Sequence, residues 1–474
     1  MKVVFVQTMF LAAMLLLSPC TKGGEQRTLT VKLRGVYESK ITLSPFNGVR
    51  VSYPVSVKRD IKNGEQVMFA VPDSLLPGEF LLRFDYRAKE EDNPYPSEVR
   101  LYLNKENITA NVHPMYTSGD SLLLENDREN TVWKQFEIEN SKKRNQLGLL
   151  EQLLNGYDKP ASTVWEEAAK TYEQRRVAYN EWIDSMTMAY SDLYVGHLFR
   201  FQHLLPVNWN QTPKERLDRQ ITSWFNNFDF NDTLALRSRQ MNEYINAYVG
   251  LFGVQATTEE LRDSLFTAAG SLACEKASSG NPKVYGWMVD YFFNGYETYN
   301  ITEGLKMLEK HINNPNCLTS KKQEIARRLE GMEKLVPGVQ APVLNVQDIE
   351  RKDVEIVPGR DGKDYQLLVF YASDCGHCEE LFSELKEWYS LPQNEVWFSI
   401  TSIALDDVRE TWEKSHNTKD VPWTDLYAPE GVNSEAASKY YVLSTPSLFV
   451  VDKNGKLAAV PGSVVELNNF LNGE

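Results

Sequence analysis

The chain has 474 residues, which is more than one hydrophobic core usually covers and predicts about three domains of roughly 100–200 residues each. Its apolar content of 42% and charged content of 24% are typical of soluble globular proteins. The formal net charge of −14, with no offsetting cluster of Lys and Arg, argues against nucleic acid as a partner, because an acidic surface repels phosphate backbones.

The first 20 residues are typical of a secretory signal peptide. Lys2 is followed by the apolar run VVFVQTMFLAAMLLL, which is too short and too close to the terminus for a good transmembrane helix. The sequence LSPC, ending at Cys20, resembles a bacterial lipobox, although Pro19 stands where Gly or Ala is usual. We therefore predict a protein of the periplasm or cell envelope that is attached to a membrane by lipid on Cys20. An ordinary cleaved signal is the alternative.

Residues 27–136 are predicted to form an antiparallel β-sandwich-like domain. Apolar and polar residues alternate in TLTVKLRGV, EFLLRFDYR and EVRLYLN, so that Leu29, Val31 and Leu33 share one face of a strand. Turn signals such as PFNG, KNG and LPG separate these runs, as is typical of short strands joined by tight turns. The segment contains no catalytic constellation.

Residues 137–335 follow the period of an α-helix. Apolar residues recur at helical spacing in LRSRQMNEYINAYVGLF, TTEELRDSLFTAAGSLAC, KVYGWMVDYFFNGY and KKQEIARRLEGMEKLV, which predicts an all-α domain with short connections. The segment TTEELRDSLF opens with a threonine that could cap its helix. Cys274 and Cys317 could bridge each other in an oxidising compartment or remain separate thiols, and both alternatives stay open.

Residues 336–474 are predicted to form an α/β domain after a boundary at LVPGVQAPVLNVQD. The strand YQLLVFYA leads through CGHC into a helix, and the strand EVWFSITSIAL is followed by the helices DVRETWEKSH and NSEAASKYYV. The hairpin PSLFVVDKNGKLAAV, which turns on KNG, closes the chain. Strands that alternate with helices predict a central mixed sheet.

Cys375 and Cys378 admit four kinds of chemistry. A structural zinc site requires four ligands, usually with a second CxxC or a histidine pair, and His416 is isolated in the sequence. Haem c attachment requires CxxCH, whereas Glu379 follows the second cysteine. A structural disulfide of this spacing would constrain the unfolded chain very little. We therefore expect no metal or cofactor, and the fourth kind of chemistry, a redox-active Cys375–Cys378 disulfide, is favoured.

The position of the pair supports redox chemistry. Cys375 lies at the predicted N-terminus of a helix, where backbone N–H groups and the helix dipole favour its thiolate. His377 adds positive charge, which would make the disulfide more oxidising, and Asp374 opposes this effect. Cys378, one turn into the helix, is expected to be more buried and to act as the resolving thiol.

A second motif, VLSTPSLFVVDKNGK, contains Thr445-Pro446. With the strand–CGHC–helix segment and the inserted strand and helix before it, it resembles the thioredoxin superfamily, in particular the TlpA/ResA-like envelope thiol–disulfide oxidoreductases. The resemblance covers Pro337 to Leu471 and implies a thioredoxin-like fold with the family's cis-proline at Pro446. A cis bond there would place the Thr445 backbone beside the thiols, where it could pair with an extended substrate segment.

Three positions depart from this family pattern. Val369 stands where many thioredoxins carry a buried Asp, Asp374 replaces a common Trp, and Leu381 stands where TlpA/ResA-like proteins often have Glu. These departures leave the proton acceptor for Cys378 unassigned. The Gly-His dipeptide between the cysteines resembles that of protein disulfide isomerases, and the β-rich and helical segments resemble the accessory region of larger envelope relatives.

The expected protein is therefore a multidomain envelope enzyme that exchanges disulfides with protein substrates, as a reductase or isomerase. Cys375 and Cys378 would carry out the exchange, with His377 and Asp374 tuning it and Thr445-Pro446 positioning the substrate. Its partners would be proteins with thiols or disulfides and an envelope redox partner. The alternative is a binding or scaffold lipoprotein that uses a thioredoxin-like domain as an interaction platform.

Overall fold

The computed structural model describes residues 27–472, apart from position 49 and the stretches 52–53 and 117–121. These residues form two compact units. The first runs to Leu204 and includes Arg237–Gln240, and the second comprises Leu205–Leu236 and the chain from Met241 onwards. This division falls inside the predicted helical region, so the domain limits proposed above stay a prediction.

The N-terminal β region consists of two sheets. One has the strand order β5-β1-β8-β9, and the other has the order β3-β2-β6-β7, with β4 also paired to β2. The strands are β1 (Arg27–Leu33), β2 (Glu38–Asn47), β3 (Arg50–Val51), β4 (Ser56–Lys62), β5 (Gln66–Val71), β6 (Gly78–Arg87), β7 (Tyr95–Leu103), β8 (Ile108–Val112) and β9 (Leu122–Glu125).

One hydrophobic core joins the two sheets. Leu29, Val31 and Leu33 are fully buried in it, together with Phe80 and Phe84 from the other sheet. The alternation of apolar residues therefore predicted the buried face correctly. The strands pair antiparallel as expected except for β1 with β8, which are parallel. Alternation cannot reveal this exception, because it reports which face is buried and not the direction of the neighbouring strand.

Helices follow the β region in the first unit: α1 (Glu129–Gly156), α2 (Thr163–Ala189) and α3 (Tyr194–Leu198). Glu129 is the first residue of α1 and is buried. Its carboxylate accepts hydrogen bonds from the backbone N–H groups of Tyr194 and Val195 at 2.9 and 3.0 Å. One carboxylate thus satisfies N–H groups in the first turn of α3, which have no partner inside that helix.

The second unit opens with further helices. They are α4 (Pro213–Ser223), α5 (Gln240–Gly253), α6 (Glu259–Ala277), α7 (Pro282–Thr298), α8 (Thr302–Met307), α9 (Glu309–Ile312) and α10 (Lys322–Lys334). The Thr258 side chain accepts a hydrogen bond from Leu261 N at 3.2 Å and caps α6, as predicted. Among the described helices, none combines the length and hydropathy that a bilayer crossing requires.

The C-terminal part is a mixed seven-stranded sheet covered by helices. Its strand order is β11-β10-β14-β13-β12-β15-β16, in which β12, β13 and β14 run parallel. The elements are β10 (Leu344–Gln347), β11 (Asp353–Ile356), β12 (Tyr365–Tyr371), α11 (Gly376–Tyr389), α12 (Pro392–Trp397), β13 (Phe398–Ala404), α13 (Arg409–Lys419), β14 (Thr424–Tyr427), α14 (Glu435–Lys439), β15 (Ser447–Asp452), β16 (Leu457–Ala459) and α15 (Val464–Asn472).

Strand β12 lies between β13 and β15 and has an apolar core on each face. Leu367, Val369 and Tyr371 face one core, and Leu368 and Phe370 face the other. This burial on both faces explains the continuous apolar run in the sequence. The strand delivers the chain to the CGHC turn at its carboxyl end, where α11 begins.

The predicted strand EVWFSITSIAL is shorter in the structure. Its first three residues belong to α12, and β13 begins at Phe398. Val396 and Trp397 are exposed apolar residues of that helix. Because they directly precede the buried strand in the sequence, the apolar run looks longer than the strand is. The predicted fold class is otherwise confirmed, since a β region, a helical region and an α/β region follow one another along the chain.

Candidate active site

Cys375 and Cys378 lie where β12 passes into α11. Cys375 is the N-cap residue of α11, with extended backbone, and its Sγ accepts a hydrogen bond from Cys378 N at 3.3 Å. Cys375 is half-buried, whereas Cys378 is only 1% exposed, and both are free thiols. The N-terminal thiol is therefore accessible to a partner, and the second thiol can be reached through the first.

The Thr445-Pro446 segment lies directly beside the pair. The peptide bond between these residues is cis, and the Thr445 carbonyl oxygen is 3.6 Å from Cys375 Sγ. Ser447, the next residue, begins β15 and pairs with Phe370 of β12. The antiparallel ladder between β12 and β15 thus brings together two motifs that are 70 positions apart in the sequence.

Burial governs the acidity of the second thiol. Removal from water, reinforced by the neighbouring Cys375 thiol, raises the pKa of Cys378 well above its ordinary value. At neutral pH Cys378 is therefore protonated, and its thiolate forms only when something stabilises it.

The two predicted tuning residues, His377 and Asp374, lie at the surface. The His377 side chain is 85% exposed, and its Nδ1 is 3.7 Å from Glu380 Oε2. Asp374 is also exposed. Both side chains are surrounded by solvent, and their roles as tuning residues stay predictions. Cys20, the predicted lipidation site, lies outside the described residues.

Sequence analysis missed a carboxylate next to the CGHC turn. Asp406 follows β13 and is 5% exposed. It accepts hydrogen bonds from Ser373 N at 3.1 Å and from Ser373 Oγ at 3.0 Å. Burial raises the pKa of Asp406, and these hydrogen bonds partly offset that effect. The carboxylate thereby holds the loop that leads into Cys375.

A second missed carboxylate, Asp425, is the centre of a buried hydrogen-bond network below the pair. It lies on β14, and its partners are side chains of β12, β13 and α13. Its oxygens accept hydrogen bonds from Tyr371 OH at 2.9 Å, Ser402 Oγ at 2.6 Å, Trp412 Nε1 at 3.0 Å and His416 Nδ1 at 2.8 Å. His416, isolated in the sequence, is therefore part of this network.

The third missed residue is Lys419, the last residue of α13. Its Nζ lies 4.1 Å from the centre of the Tyr371 ring and 4.8 Å from the centre of the Phe382 ring. Loss of hydration lowers the pKa of Lys419, and the charges of Asp425 and Asp406 partly oppose this effect. A half-buried ammonium thus covers the aromatic side chains beneath the cysteine pair.

These three residues have no local signal in the sequence, because each acts across the sheet. The inserted helix α13 and strand β14 supply Lys419 and Asp425, and only their docking reveals which side chains face the thiols. The one available hint was Tyr371, Trp412 and Trp423 in an otherwise apolar pattern, since buried Tyr and Trp usually need a polar partner.

The described residues contain no group of three or more His, Cys, Asp or Glu side chains arranged to hold a metal ion. The chemistry that the site itself offers is that of two neighbouring thiols. One is accessible at a helix N-terminus, and the other is protonated and buried behind it.

Comparisons with known proteins identify this part of the chain. Residues 351–472 match the family model of a thioredoxin-like domain. The chain is similar to a solved thioredoxin-like protein from Bacteroides caccae, with 15% identity, a TM-score of 0.37, and coverage of 57% of this chain and 97% of that one.

Two other solved structures are similar over a smaller share of the chain. One is the thioredoxin domain of a thiol-disulfide oxidoreductase from Bacteroides vulgatus, with 21% identity, a TM-score of 0.26, and coverage of 29% of this chain and 97% of that one. The other is a thiol-disulfide oxidoreductase from Bacteroides fragilis, with 24% identity, a TM-score of 0.24, and coverage of 28% and 98%. No curated protein matches the sequence.

The segment matched by the family model extends from β11 to α15 and contains Cys375, Cys378 and Pro446. Residues 351–472 of this chain are therefore a thioredoxin-like domain.

Proposed function

We propose that the protein is a thiol–disulfide oxidoreductase of the cell envelope that exchanges disulfides with protein substrates through Cys375 and Cys378. One observation carries the proposal. A half-exposed thiol lies at the N-terminus of α11, with a buried thiol one turn behind it and the Thr445 carbonyl 3.6 Å from the first sulfur. This arrangement provides one sulfur for attack and one for release.

The first step is attack by the Cys375 thiolate on one sulfur of a substrate disulfide. A bond forms between Cys375 and that sulfur, and the other substrate sulfur leaves as a thiolate that takes up a proton. In the second step the Cys378 thiolate attacks Cys375 Sγ. The second substrate sulfur leaves, so the substrate is reduced by two electrons and the pair is oxidised to a disulfide.

The same steps support isomerisation or oxidation. If a second substrate thiol attacks the mixed disulfide before Cys378 does, a rearranged substrate disulfide leaves and the pair stays reduced. If the pair begins as a disulfide, the sequence of steps runs in reverse and oxidises a substrate dithiol. The rate of the Cys378 step therefore decides between reduction and isomerisation.

The backbone beside the pair provides a docking position for the substrate. An extended substrate segment would run past Thr445 and make main-chain hydrogen bonds there, with its sulfur facing Cys375. Main-chain pairing is independent of side-chain identity, so we expect several protein substrates. A separate envelope redox partner would return the pair to its working state.

The proposed location follows from the N-terminal sequence. The LSPC motif at Cys20 favours attachment of lipid, which would hold the mature protein at a membrane in the envelope. Disulfide chemistry is sustained in such a compartment. Nucleic acid is not proposed as a partner, because the net negative charge of the protein repels phosphate groups.

A mixed-disulfide trap tests the proposal. In Cys378→Ser the second step is blocked, so covalent complexes between Cys375 and substrate proteins should accumulate in cells and dissolve on reduction. The matched control is Cys375→Ser/Cys378→Ser, which should trap none. Insulin reduction and reactivation of scrambled ribonuclease by the purified wild type then distinguish reductase from isomerase activity.

Loss of all thiol exchange in Cys375→Ser is the expected result. If Cys375→Ser retains full exchange, the assignment of the attacking thiol is wrong. If the double variant supports the cellular role as well as the wild type does, the protein is a binding or scaffold lipoprotein instead.

A further inference from the structure

Lys419 packs against Phe382, which lies one helical turn after the resolving thiol, Cys378. Cys378 and Phe382 are four residues apart on α11 and therefore share a face of that helix. The Phe382 ring lies 4.7 Å from the Tyr371 ring, measured between centres. The Lys419 ammonium covers both rings, at 4.1 Å from Tyr371 and 4.8 Å from Phe382. A half-buried cation thus packs against two aromatic rings of the apolar core that contains Cys378.

The carboxylates in this region are already satisfied by other donors. Asp425 accepts hydrogen bonds from four side chains, and Asp406 accepts two from Ser373. The contacts of Lys419 Nζ are with aromatic faces, which attract a cation without neutralising it. Its positive charge interacts with Asp425 and Asp406, and the Cys378 sulfur lies within range of the same charge.

The charged and titratable groups around Lys419 come from each element packed against it. They are Cys378, Glu379 and Lys386 on α11, Tyr371 on β12, Asp406 after β13, His416 on α13 and Asp425 on β14. Glu379 is exposed, and Lys386 Nζ is bound to the Lys419 carbonyl at 2.5 Å. Within this set, Cys378 is the group that changes charge during exchange.

We propose that the Lys419 ammonium stabilises the Cys378 thiolate and so sets the rate at which the mixed disulfide on Cys375 is resolved. The inference rests on the proposed function and adds a positioning charge to it. It leaves the proton acceptor for Cys378 unassigned and gives its thiolate a stabilising charge instead.

The step balances without proton transfer to or from Lys419. The Cys378 thiol releases its proton to solvent, its thiolate attacks Cys375 Sγ, and the departing substrate thiolate takes up a proton from solvent. Lys419 stays an ammonium throughout and lowers the free energy of the buried anion by charge alone. It acts through Cys378 and touches neither substrate nor the bond that breaks.

The test separates the two steps of exchange by rapid mixing of reduced protein with an aromatic disulfide that releases a coloured thiolate. The first release reports attack by Cys375, and the second reports resolution by Cys378. In Lys419→Met we expect the second release to slow about tenfold at neutral pH and its pH profile to move about one unit upward. The first release should stay within about twofold of wild type.

Two variants distinguish charge from packing. Lys419→Arg keeps the cation, so its pH profile should match the wild type. Lys439→Met is the matched control, because Lys439 is a half-buried lysine on α14, whose neighbours belong to the core on the other face of the sheet. A Cys375→Ser/Cys378→Ser protein gives the background from Cys274 and Cys317.

The outcomes are distinct. An unshifted pH profile in Lys419→Met, or an equal slowing in Lys419→Arg or Lys439→Met, overturns the role of Lys419 while leaving the proposed function in place. If the wild type shows no first release above background, the proposed function itself fails. A fall in both releases in Lys419→Met without a pH shift means that the lysine is structural, and it also overturns the inference.

Discussion

The second unit contains two cysteine pairs that differ in almost every respect except residue type. Cys375 and Cys378 lie at the end of a strand, with one sulfur open to solvent. Cys274 and Cys317 lie in the helical region and are 0% and 8% exposed. The comparison shows that the chemistry of a thiol in this protein is set by its surroundings.

Burial is the main influence on the helical pair. Burial raises the pKa of Cys274 far above its ordinary value and that of Cys317 to about 11. Tyr285 OH and His311 Nδ1 form a 2.6 Å hydrogen bond in the same region. Burial lowers the pKa of His311 to about 4, so its imidazole is neutral at pH 7. Neither thiol is in a state to act as a nucleophile.

The CGHC pair lies close to buried charged groups. A helix N-terminus faces Cys375, and charged side chains, Asp406, Asp425 and Lys419, lie beneath Cys378. Buried charges are costly unless they are paired or serve a purpose, so their concentration near one dithiol supports the function proposed for that region. The helical pair, by contrast, is buried among the hydrophobic core residues.

The largest expected effect is in thiol reactivity. With an alkylating reagent at neutral pH, Cys375 should react first, whereas Cys274 and Cys317 should react only after unfolding. A pKa of about 11 in place of 9.0 lowers the thiolate fraction of Cys317 about 100-fold, and burial blocks access as well. Peptide mapping by mass spectrometry checks the order.

Modification of native Cys317 as fast as Cys375 would contradict the difference between the two pairs, because it would mean that the helical region opens readily. The double variant Cys274→Ala/Cys317→Ala provides the complementary control and should keep wild-type disulfide exchange. The open question of a Cys274–Cys317 bridge is answered in the same maps, by comparing samples with and without reductant.

The next effect concerns the charged network. Asp425→Asn leaves the donors of Tyr371, Trp412 and His416 facing a group that also donates, so we expect a loss of about 4 kcal/mol in the free energy of unfolding. Urea unfolding followed by tryptophan fluorescence measures it, since Trp412 and Trp423 lie in or beside the network.

The matched control for that variant is Asp364→Asn. Asp364 forms an exposed ion pair with Lys453 at 2.9 Å, and such pairs contribute at most about 1 kcal/mol. Equal losses in the two variants would contradict a special role for the Asp425 network in holding the domain together.

The smallest expected effect is the pH dependence that His311, in the helical region, contributes to the free energy of unfolding. The folded pKa of His311, about 4, lies below the ordinary value of 6.5, so the unfolded chain binds more protons between these values. Its contribution to stability is therefore complete above pH 6.5 and falls by roughly 3 kcal/mol as the pH drops to 4. Unfolding measured across this range checks the slope.

His311→Gln retains hydrogen-bonding groups for Tyr285 but does not titrate, so its stability should change less steeply over the same range. The exposed His377 gives the control, since His377→Gln should preserve the wild-type slope. A wild-type slope in His311→Gln would show that His311 is protonated in the folded protein.

The fold could be predicted where local periodicity decides it. Leu29, Val31 and Leu33 lie on the buried face that alternation indicates, and Thr258 caps its helix as the sequence predicts. The parallel pairing of β1 with β8 and the late start of β13 could not be predicted, because both depend on which element lies alongside.

The candidate site divides in the same way. Two cysteines three positions apart at a helix start must be neighbours whatever the rest of the chain does, because helical geometry joins them. The cis Thr445-Pro446 bond beside them was anticipated through the family resemblance. The exposed positions of His377 and Asp374 could not be anticipated, since spacing does not report accessibility.

By itself, the sequence determined the type of most elements and the closeness of Cys375 to Cys378, because both follow from contacts between residues a few positions apart. Only the tertiary structure decided that Asp406, Lys419 and Asp425 come together in the domain of the CGHC pair and that Cys274 and Cys317 are buried. The physical reason is that burial and charge act through space. The free energy of a thiolate depends on what packs against it, and those groups come from strands and helices far away along the chain.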